Sequence, residues 1–353
     1  MLAKSILNLK KLKTIYKKGL ENRLSLDEGR ISKYTELKRI IYCLVICLFV
    51  PYRNIEDDSI YFVNGKSQRN LKLNVSSTQR IYRGFGENIL SSLKNDCFLF
   101  SPIKKSKRII LLKDAVRTYK KVDDQDRLSL WIDFLITKEM LIIIHPSIVI
   151  SRGHTDEYTT WMGEFAKEFR FCFEVYQHGV MGCMDTTHIP NKIHYSKFYA
   201  FDQYSAEYFR DNFISNENCE FIIYDFPPSV QFECIEREEG KVYIGIGEQK
   251  NSDWVRSIVE YLESLDKEVV IIIMKHPLSS YDYSVLDRVI VDNRIKYGNI
   301  DYFITENSTL AIDYYRANMD VKVIYTDFLA KGCFCDYHFT YIENLSDLDA
   351  IIK

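Results

Sequence analysis

Three short stretches in the second half of the chain carry residue types suited to holding a phosphate, and each follows an apolar run. Lys275-His276-Pro277 closes the run Val269–Met274. That run is continuous and mostly β-branched, the pattern of a strand buried on both faces. Pro277 cannot donate to a ladder, so the strand ends before it. Lys275 and His276 are thereby held at the carboxyl end of a parallel strand, the edge of an open α/β sheet where ligands bind. A lysine and an imidazole there can both donate to phosphoryl oxygens, and such donors act most strongly when charge builds on a departing phosphate. Thr305-Glu306-Asn307-Ser308-Thr309 repeats the arrangement. Ser308 is placed to cap a helix over 309–317, and the hydroxyls of Ser308 and Thr309 lie beside amides that favour an anion. The third stretch is Gly245-Ile246-Gly247-Glu248-Gln249, which follows the first strand of this half. Its glycines allow close approach to the backbone. The third glycine of a dinucleotide fingerprint is missing, so Gly247 and Gln249 read as a rim and not as an NAD site. The plainer readings are a turn histidine at 276 and simple N-capping by Ser308.

The first half has one counterpart, Tyr176-Gln177-His178-Gly179, again at a strand end. His178 titrates near neutral pH unless its surroundings shift it, which suits a general base on an acceptor hydroxyl. Asp185 follows in a loop with His188 and His194, and can orient His178 or act as the base itself. The plainer reading is that Gln177 and His178 satisfy backbone groups in a turn. No metal is expected. Asp347-Leu348-Asp349 and Asp123-Asp124 read as caps or solvated faces, and the histidines lack a helical His-x-x-x-His spacing.

The elements that must position these residues alternate. Strands are expected at Ile60–Val63, Cys97–Phe100, Arg108–Leu112, Leu141–Ile144, Phe171–Tyr176, Phe198–Phe201 and Phe221–Tyr224, with helices over 126–138, 156–170 and 205–213. The stretch from Asp225 to Gly240, with two prolines and a charge cluster, is the linker candidate. Beyond it, strands are expected at Lys241–Gly247, Val269–Met274, Asp301–Thr305 and Val321–Tyr325. Helices over 253–265 and 309–317 separate them, the latter with Asn318 at its C′ position. Such alternation means βα units on parallel sheets. The division expected is an N-terminal helical region over 1–58, an acceptor-side domain over 59–226 and a donor-binding domain over 227–353.

Composition sets the frame. The 353 residues are 46% hydrophobic with a net charge of −2, which supports a sizeable core and gives no global basic field for nucleic acid. Nine scattered cysteines, an odd number with no Cys-x-x-Cys pair, favour reduced thiols in the cytoplasm. Residues 1–20 carry six lysines and no acid, with Leu2, Ile6, Leu9, Leu12, Tyr16 and Leu20 at helical spacing. This basic amphipathic helix suits either peripheral docking on an anionic membrane or packing on its own domain. Ile40–Val50 is apolar but too short to span a bilayer.

The succession of Gly-x-Gly-x-Gln after a strand, Lys275-His276-Pro277 and Ser308-Thr309 at a helix start resembles bacterial glycosyltransferases of surface polysaccharides. The likeness is greatest to lipooligosaccharide and capsule sialyltransferases, with their His-Pro and Ser-Ser/Thr motifs. It covers roughly residues 140–330. The resemblance implies an α/β fold of two Rossmann-like domains with a cleft between them (the GT-B architecture) and a metal-independent transfer with no cofactor, the nucleotide-sugar being a substrate. His276, Ser308 and Thr309 would contact the donor phosphate, joined by Lys275, Pro277 and Glu306. The donor would be a nucleotide-sugar, with CMP-activated sialic acid or Kdo as one class, and the acceptor a glycan or lipid-linked glycan of capsule, O-antigen or lipooligosaccharide. CDP-glycerol phosphotransferases belong to the same broad group and carry a catalytic His-Gly that His178-Gly179 resembles, so transfer of a polyol phosphate is the enzyme alternative. A non-catalytic scaffold in polysaccharide assembly is the other. The chain departs from the sialyltransferase pattern in that Asp156-Glu157 is not followed by glycine.

Overall fold

The computed structural model describes residues 2–25, 33–63, 79–82, 97–119, 128–152, 156–177, 189–226, 230–248, 252–265, 267–275, 281–283, 286, 289–292, 295–306, 308, 310–326 and 337–352. The described residues form two compact units, one up to Ile223 and the other from Tyr224 onward. Each contains a six-stranded sheet whose strand pairs are all parallel.

The first unit begins with helices α1 (Leu2–Ser25) and α2 (Lys33–Phe49). Its sheet contains β1 (Ser59–Val63), β2 (Gln79–Tyr82), β3 (Ile148–Ser151), β4 (Cys172–Tyr176), β5 (Lys197–Ala200) and β6 (Glu220–Ile223), in the order β2-β1-β3-β4-β5-β6. The remaining helices are α3 (Lys105–Tyr119), α4 (Leu128–Ile144), α5 (Glu157–Phe169) and α6 (Gln203–Asn212). The core is aromatic. Tyr16 of α1 lies against Trp131 and Phe134 of α4 and Trp161 of α5, with ring centroids 5.0–5.6 Å apart. Gly19 lets α1 approach closely enough for this, since a Cβ there would sit 2.3 Å from the Trp161 indole nitrogen. Polar bonds fix the same contact: Asn22 donates to Thr160 Oγ1 and to the Asn191 carbonyl, and Lys18 pairs with Glu164. From Tyr16 to Asn22 the basic N-terminal helix is therefore packed on its own unit.

Three expected strands take other forms. Arg108–Leu112 is helical and belongs to α3. Arg108 is buried, and its guanidinium donates to the carbonyls of Ile103 (2.6 Å), Val50 (2.6 Å) and Cys47 (3.4 Å). It so satisfies carbonyls left over at the end of α2. Leu141–Ile144 is the last turn of α4. A short apolar run reads alike in a buried strand and a buried helix, and here the helix runs to His145, whose φ of 49° ends it before Pro146. The strand comes after the proline, as β3. Cys97–Phe100 is a buried turn, closed by Ser101 N–H to the Phe98 carbonyl and by Phe98 N–H to Ser101 Oγ. The helix expected over 156–170 forms as α5, with the Asp156 carboxylate accepting from Thr159 N–H and with Arg170 left-handed at its end.

The second unit contains β7 (Phe232–Glu233), β8 (Val242–Gly247), β9 (Val269–Met274), β10 (Val289–Asp292), β11 (Lys296–Tyr297), β12 (Tyr302–Thr305), β13 (Lys322–Tyr325) and β14 (Thr340–Tyr341). The helices are α7 (Ser252–Ser264), α8 (Leu310–Arg316) and α9 (Leu348–Ile351). The six-stranded sheet runs β10-β9-β8-β12-β13-β14, and β7 pairs with β11 separately. The stretch read as a linker is thus partly built into this unit. Arg237 adds two bonds to the Asp301 carboxylate at 2.7 and 2.9 Å. The core is aliphatic, with Val255, Ile258, Val259 and Leu262 of α7 packed on Ile244, Ile246, Ile271, Ile273 and Ile304. α8 ends as its sequence implies: Asn318 has a φ of 51°, and Met319 N–H reaches back to the Tyr314 carbonyl.

Candidate functional site

The second sheet has the doubly wound order, running outward from β8 through β9 and β10 on one side and through β12, β13 and β14 on the other. The direction of winding reverses between β8 and β12. In open parallel sheets the crevice beyond the carboxyl ends at such a reversal is where ligands bind. The register places Gly247, the last residue of β8, directly between Met274 of β9 and Thr305 of β12. Lys275 and Glu306 each follow one strand end, and Glu248 follows the third. The topology therefore gathers four of the expected residues, Gly247, Lys275, Glu306 and Ser308, around one edge. His276, Pro277, Gln249 and Thr309 lie outside the described residues, as do His178 and Asp185.

What each residue does there is more specific than its type. Gly247 is needed by the protein itself: a Cβ would meet the Phe303 ring at 2.5 Å, and one at Gly245 would meet Ile300 and Met274 at 2.7 and 2.9 Å. Phe303, Ile300 and Met274 thus take the space above both glycines. Lys275 extends the β9–β10 ladder through its N–H to the Asp292 carbonyl, while its ammonium donates to the Tyr281 carbonyl at 2.5 Å and lies 5.8 Å from the Tyr283 ring centre. It holds the chain beyond β9 and brings a positive charge to the edge at the same time. Ser308 Oγ accepts from Leu310 N–H at 3.2 Å, and α8 is only seven residues long.

Four residues outside the expected set complete the edge. Thr305 is fully buried, and its Oγ1 has no hydrogen-bond partner among the described residues. A buried hydroxyl left unpaired costs about 1–3 kcal/mol. Glu248 is buried and accepts from the Tyr283 hydroxyl at 2.7 Å. Burial, then this bond to Glu248, pushes the Tyr283 hydroxyl well above its ordinary range. Lys296 donates to the Lys275 carbonyl at 3.2 Å, and burial lowers its pKa against the pull of Asp292 and Glu248. Sequence reasoning had Glu248 and Thr305 inside its motifs but could not tell which members face inward, and Lys296 stands in no motif at all.

The corresponding edge of the first sheet is differently filled. Gln177 is fully buried. Its N–H donates to the Tyr199 carbonyl (3.0 Å), its Nε2 to Ser205 Oγ (3.2 Å), and its Oε1 accepts from Phe201 N–H (2.8 Å). One side chain therefore ties the ends of β4 and β5 to the start of α6, where Asp202 caps Ser205 N–H at 2.7 Å. Tyr176 and Tyr199 stack at 4.1 Å beside it. Gln177 is a structural clamp, and it fixes where the chain leaves β4 toward His178. His194 is half-buried away from this cluster, and burial with Lys167 nearby holds its pKa below the usual histidine range. Among the described residues no group of three His, Cys, Asp or Glu is arranged to hold a metal ion.

No protein-family model matches the chain, and no curated protein does. Solved structures do. The glycosyltransferase of kitacinnamycin is 10% identical, with 83% of this chain and 89% of that one covered and a TM-score of 0.49. The lipopolysaccharide outer core galactosyltransferase WaaB is 13% identical over 76% and 80%, with a TM-score of 0.41. The wall teichoic acid polymerase TagF is 11% identical over 88% and 82%, with a TM-score of 0.39. At these scores the likeness decides nothing about chemistry, which has to be read from the residues.

Proposed function

We propose that the chain is a glycosyltransferase that takes a sugar from a nucleotide-sugar donor held at the carboxyl edge of the second sheet. The observation that carries this reading is the convergence at the reversal point between β8 and β12. There the lysine that follows β9 and a buried carboxylate that follows β8 stand at adjacent strand ends near Tyr283, and Thr305, whose buried hydroxyl has no partner among the described residues, ends the third strand with its side chain on the Phe303 face. Lys275 and the unpaired Thr305 hydroxyl suit the phosphates of the donor. Glu248 suits hydroxyls, which a buried carboxylate accepts well. His276 and Thr309, next to Lys275 and Ser308 in sequence, would add donors to the leaving phosphate, and a stabiliser of that charge acts chiefly in the transition state. His178, with Asp185 as the alternative, would take the proton from the acceptor hydroxyl. The acceptor proposed is a cell-surface glycan.

The test is a melting panel of the full chain with CMP, CDP, UDP, GDP and ADP. A nucleotide at about 100 times its dissociation constant stabilises the fold by about 2.7 kcal/mol. We expect a shift with one nucleotide class that Lys275→Ala reduces. CMP would name a sialic acid or Kdo donor, UDP or GDP a hexose donor, and CDP a polyol-phosphate transfer. A panel with no shift for any nucleotide would sink the reading in favour of a non-catalytic scaffold.

A further inference from the structure

Beyond the part of α1 packed around Tyr16 and Gly19, this unit leaves a further surface uncovered. That surface lies on α2 and α3. The inward side of α2 carries Cys43 and Cys47, both buried, and Glu36, whose carboxylate accepts from Ser129 N–H and Oγ at the start of α4. Its outward side carries Leu37, Ile41, Leu44 and Leu48. Their spacing of four, three and four places them in one row along the helix. All four are exposed, Leu37 by 56%, and the row continues into Phe49, exposed by 68%, and Tyr52. α3 is locked to the end of α2 through Arg108. It adds Ile109, Ile110 and Val116, also exposed, interleaved with exposed Lys105, Lys113 and Arg117.

A row of large exposed apolar side chains marks an interaction surface, and the charge says with what. Residues 33–53 and 104–119 hold ten lysines and arginines against two acids, in a chain whose net charge is −2; Arg108 is buried, while Lys38, Lys104, Lys105 and Lys113 are exposed. Glu36 is engaged with Ser129, Asp114 offsets Arg117 at 2.9 Å, and Glu139 of α4 offsets Lys107, so the charge of this face rests on lysines such as Lys105 and Lys113. A second copy docking through the same face would set cations against cations. An anionic bilayer would meet both features, acyl chains taking the leucine row and headgroups the cations. Among the described residues no helix is long and apolar enough to cross a membrane, so the contact would lie in the plane of the interface. We propose that the α2–α3 face docks on an anionic lipid surface.

The experiment is flotation of the full chain with vesicles of phosphatidylcholine alone and with about one third phosphatidylglycerol. Binding to the anionic vesicles is expected, weakening as salt rises. Ile41→Glu combined with Leu48→Glu should lower the bound fraction about tenfold or more while leaving the melting curve unchanged, because both side chains face solvent. Lys105→Glu with Lys113→Glu should abolish the preference for anionic vesicles. Should the first pair misfold, Leu44→Trp decides, since its fluorescence should be quenched by brominated lipid beyond the level seen for the parent chain. The proposal is overturned if the parent chain floats with neither vesicle, if the Ile41/Leu48 variant floats as well as the parent, or if Leu44→Trp adds no quenching. It is equally overturned if the parent is a dimer that this variant dissolves, which would give the face to a second copy. Nucleotide melting shifts on the same preparations keep this outcome separate from the fate of the glycosyltransferase reading.

Discussion

The two sheets end in carboxyl edges that use their polar groups differently. In the first, Gln177 spends its backbone N–H and both side-chain polar groups on its own chain, and Asp202 is consumed as a cap. In the second, the Thr305 hydroxyl is buried without a partner among the described residues, the Glu248 carboxylate is buried at the end of the neighbouring strand, and Lys296 is held below its ordinary pKa. Folding alone favours the first arrangement, because unpaired or charged groups taken from water cost stability. The first edge keeps a buried charge as well, Arg152 directly after β3, so the difference between the edges lies in Gln177 against Thr305. The contrast extends to the cores. The first unit is held by edge-on and stacked aromatics that recruit α1, and the second by aliphatic side chains beneath α7.

Four substitutions probe that contrast, in descending size. Trp161→Ala removes the ring that joins α1 to α5 and should cost about 3–5 kcal/mol, read in a urea melt as early loss of the first unit with the nucleotide response of the second intact. If the response vanishes as well, the units do not act separately. Gln177→Leu leaves the buried Phe201 N–H without an acceptor and should cost about 1–3 kcal/mol, again with no change in nucleotide affinity. Thr305→Val keeps the shape and removes the unpaired hydroxyl. It should raise stability by about 1 kcal/mol and reduce the nucleotide melting shift, whereas a plain structural threonine would show a loss of stability and an unchanged shift.

The smallest effect is one of pH. The folded-state pKa of Lys296 lies below its ordinary value of 10.5 because burial disfavours the ammonium. Between the two values the unfolded chain binds the proton and the folded chain does not, so this residue's contribution to stability rises with pH through that window. Below it, the cost of the buried charge is fully present. Urea melts of the parent and Lys296→Met at increasing alkaline pH should show the parent gaining on the variant. A constant difference would mean that Lys296 keeps its proton in the fold.

Much of the architecture was legible in the residues because it is local. The run Val269–Met274 forms β9, the stretch before Gly247 forms β8, and Asp156 and Asn318 mark the helix boundaries their side chains favour. Where the reading failed, the signal was ambiguous in itself. Leu141–Ile144 and Arg108–Leu112 are apolar runs that a helix buries as well as a strand does. What distinguished them lay outside the runs: for Arg108, the distant carbonyls at the end of α2 that it collects, and for Leu141–Ile144, the turn at the next residue, His145, which delays the strand until after Pro146.

By itself, then, the sequence determined the α/β alternation and the strand ends at which Gly247, Lys275 and Thr305 stand, since hydrophobic period, proline and capping residues act over a few positions. Only the tertiary structure decided which strands are neighbours, and so that these three residues meet at one reversal of the sheet. It also decided that the space above the glycines belongs to Phe303, that the Thr305 hydroxyl is buried without a partner among the described residues, and that Tyr16 of the basic N-terminal helix turns inward while the leucine row of α2 faces out. Those outcomes depend on contacts between residues tens to more than a hundred positions apart, and no local pattern encodes such a contact.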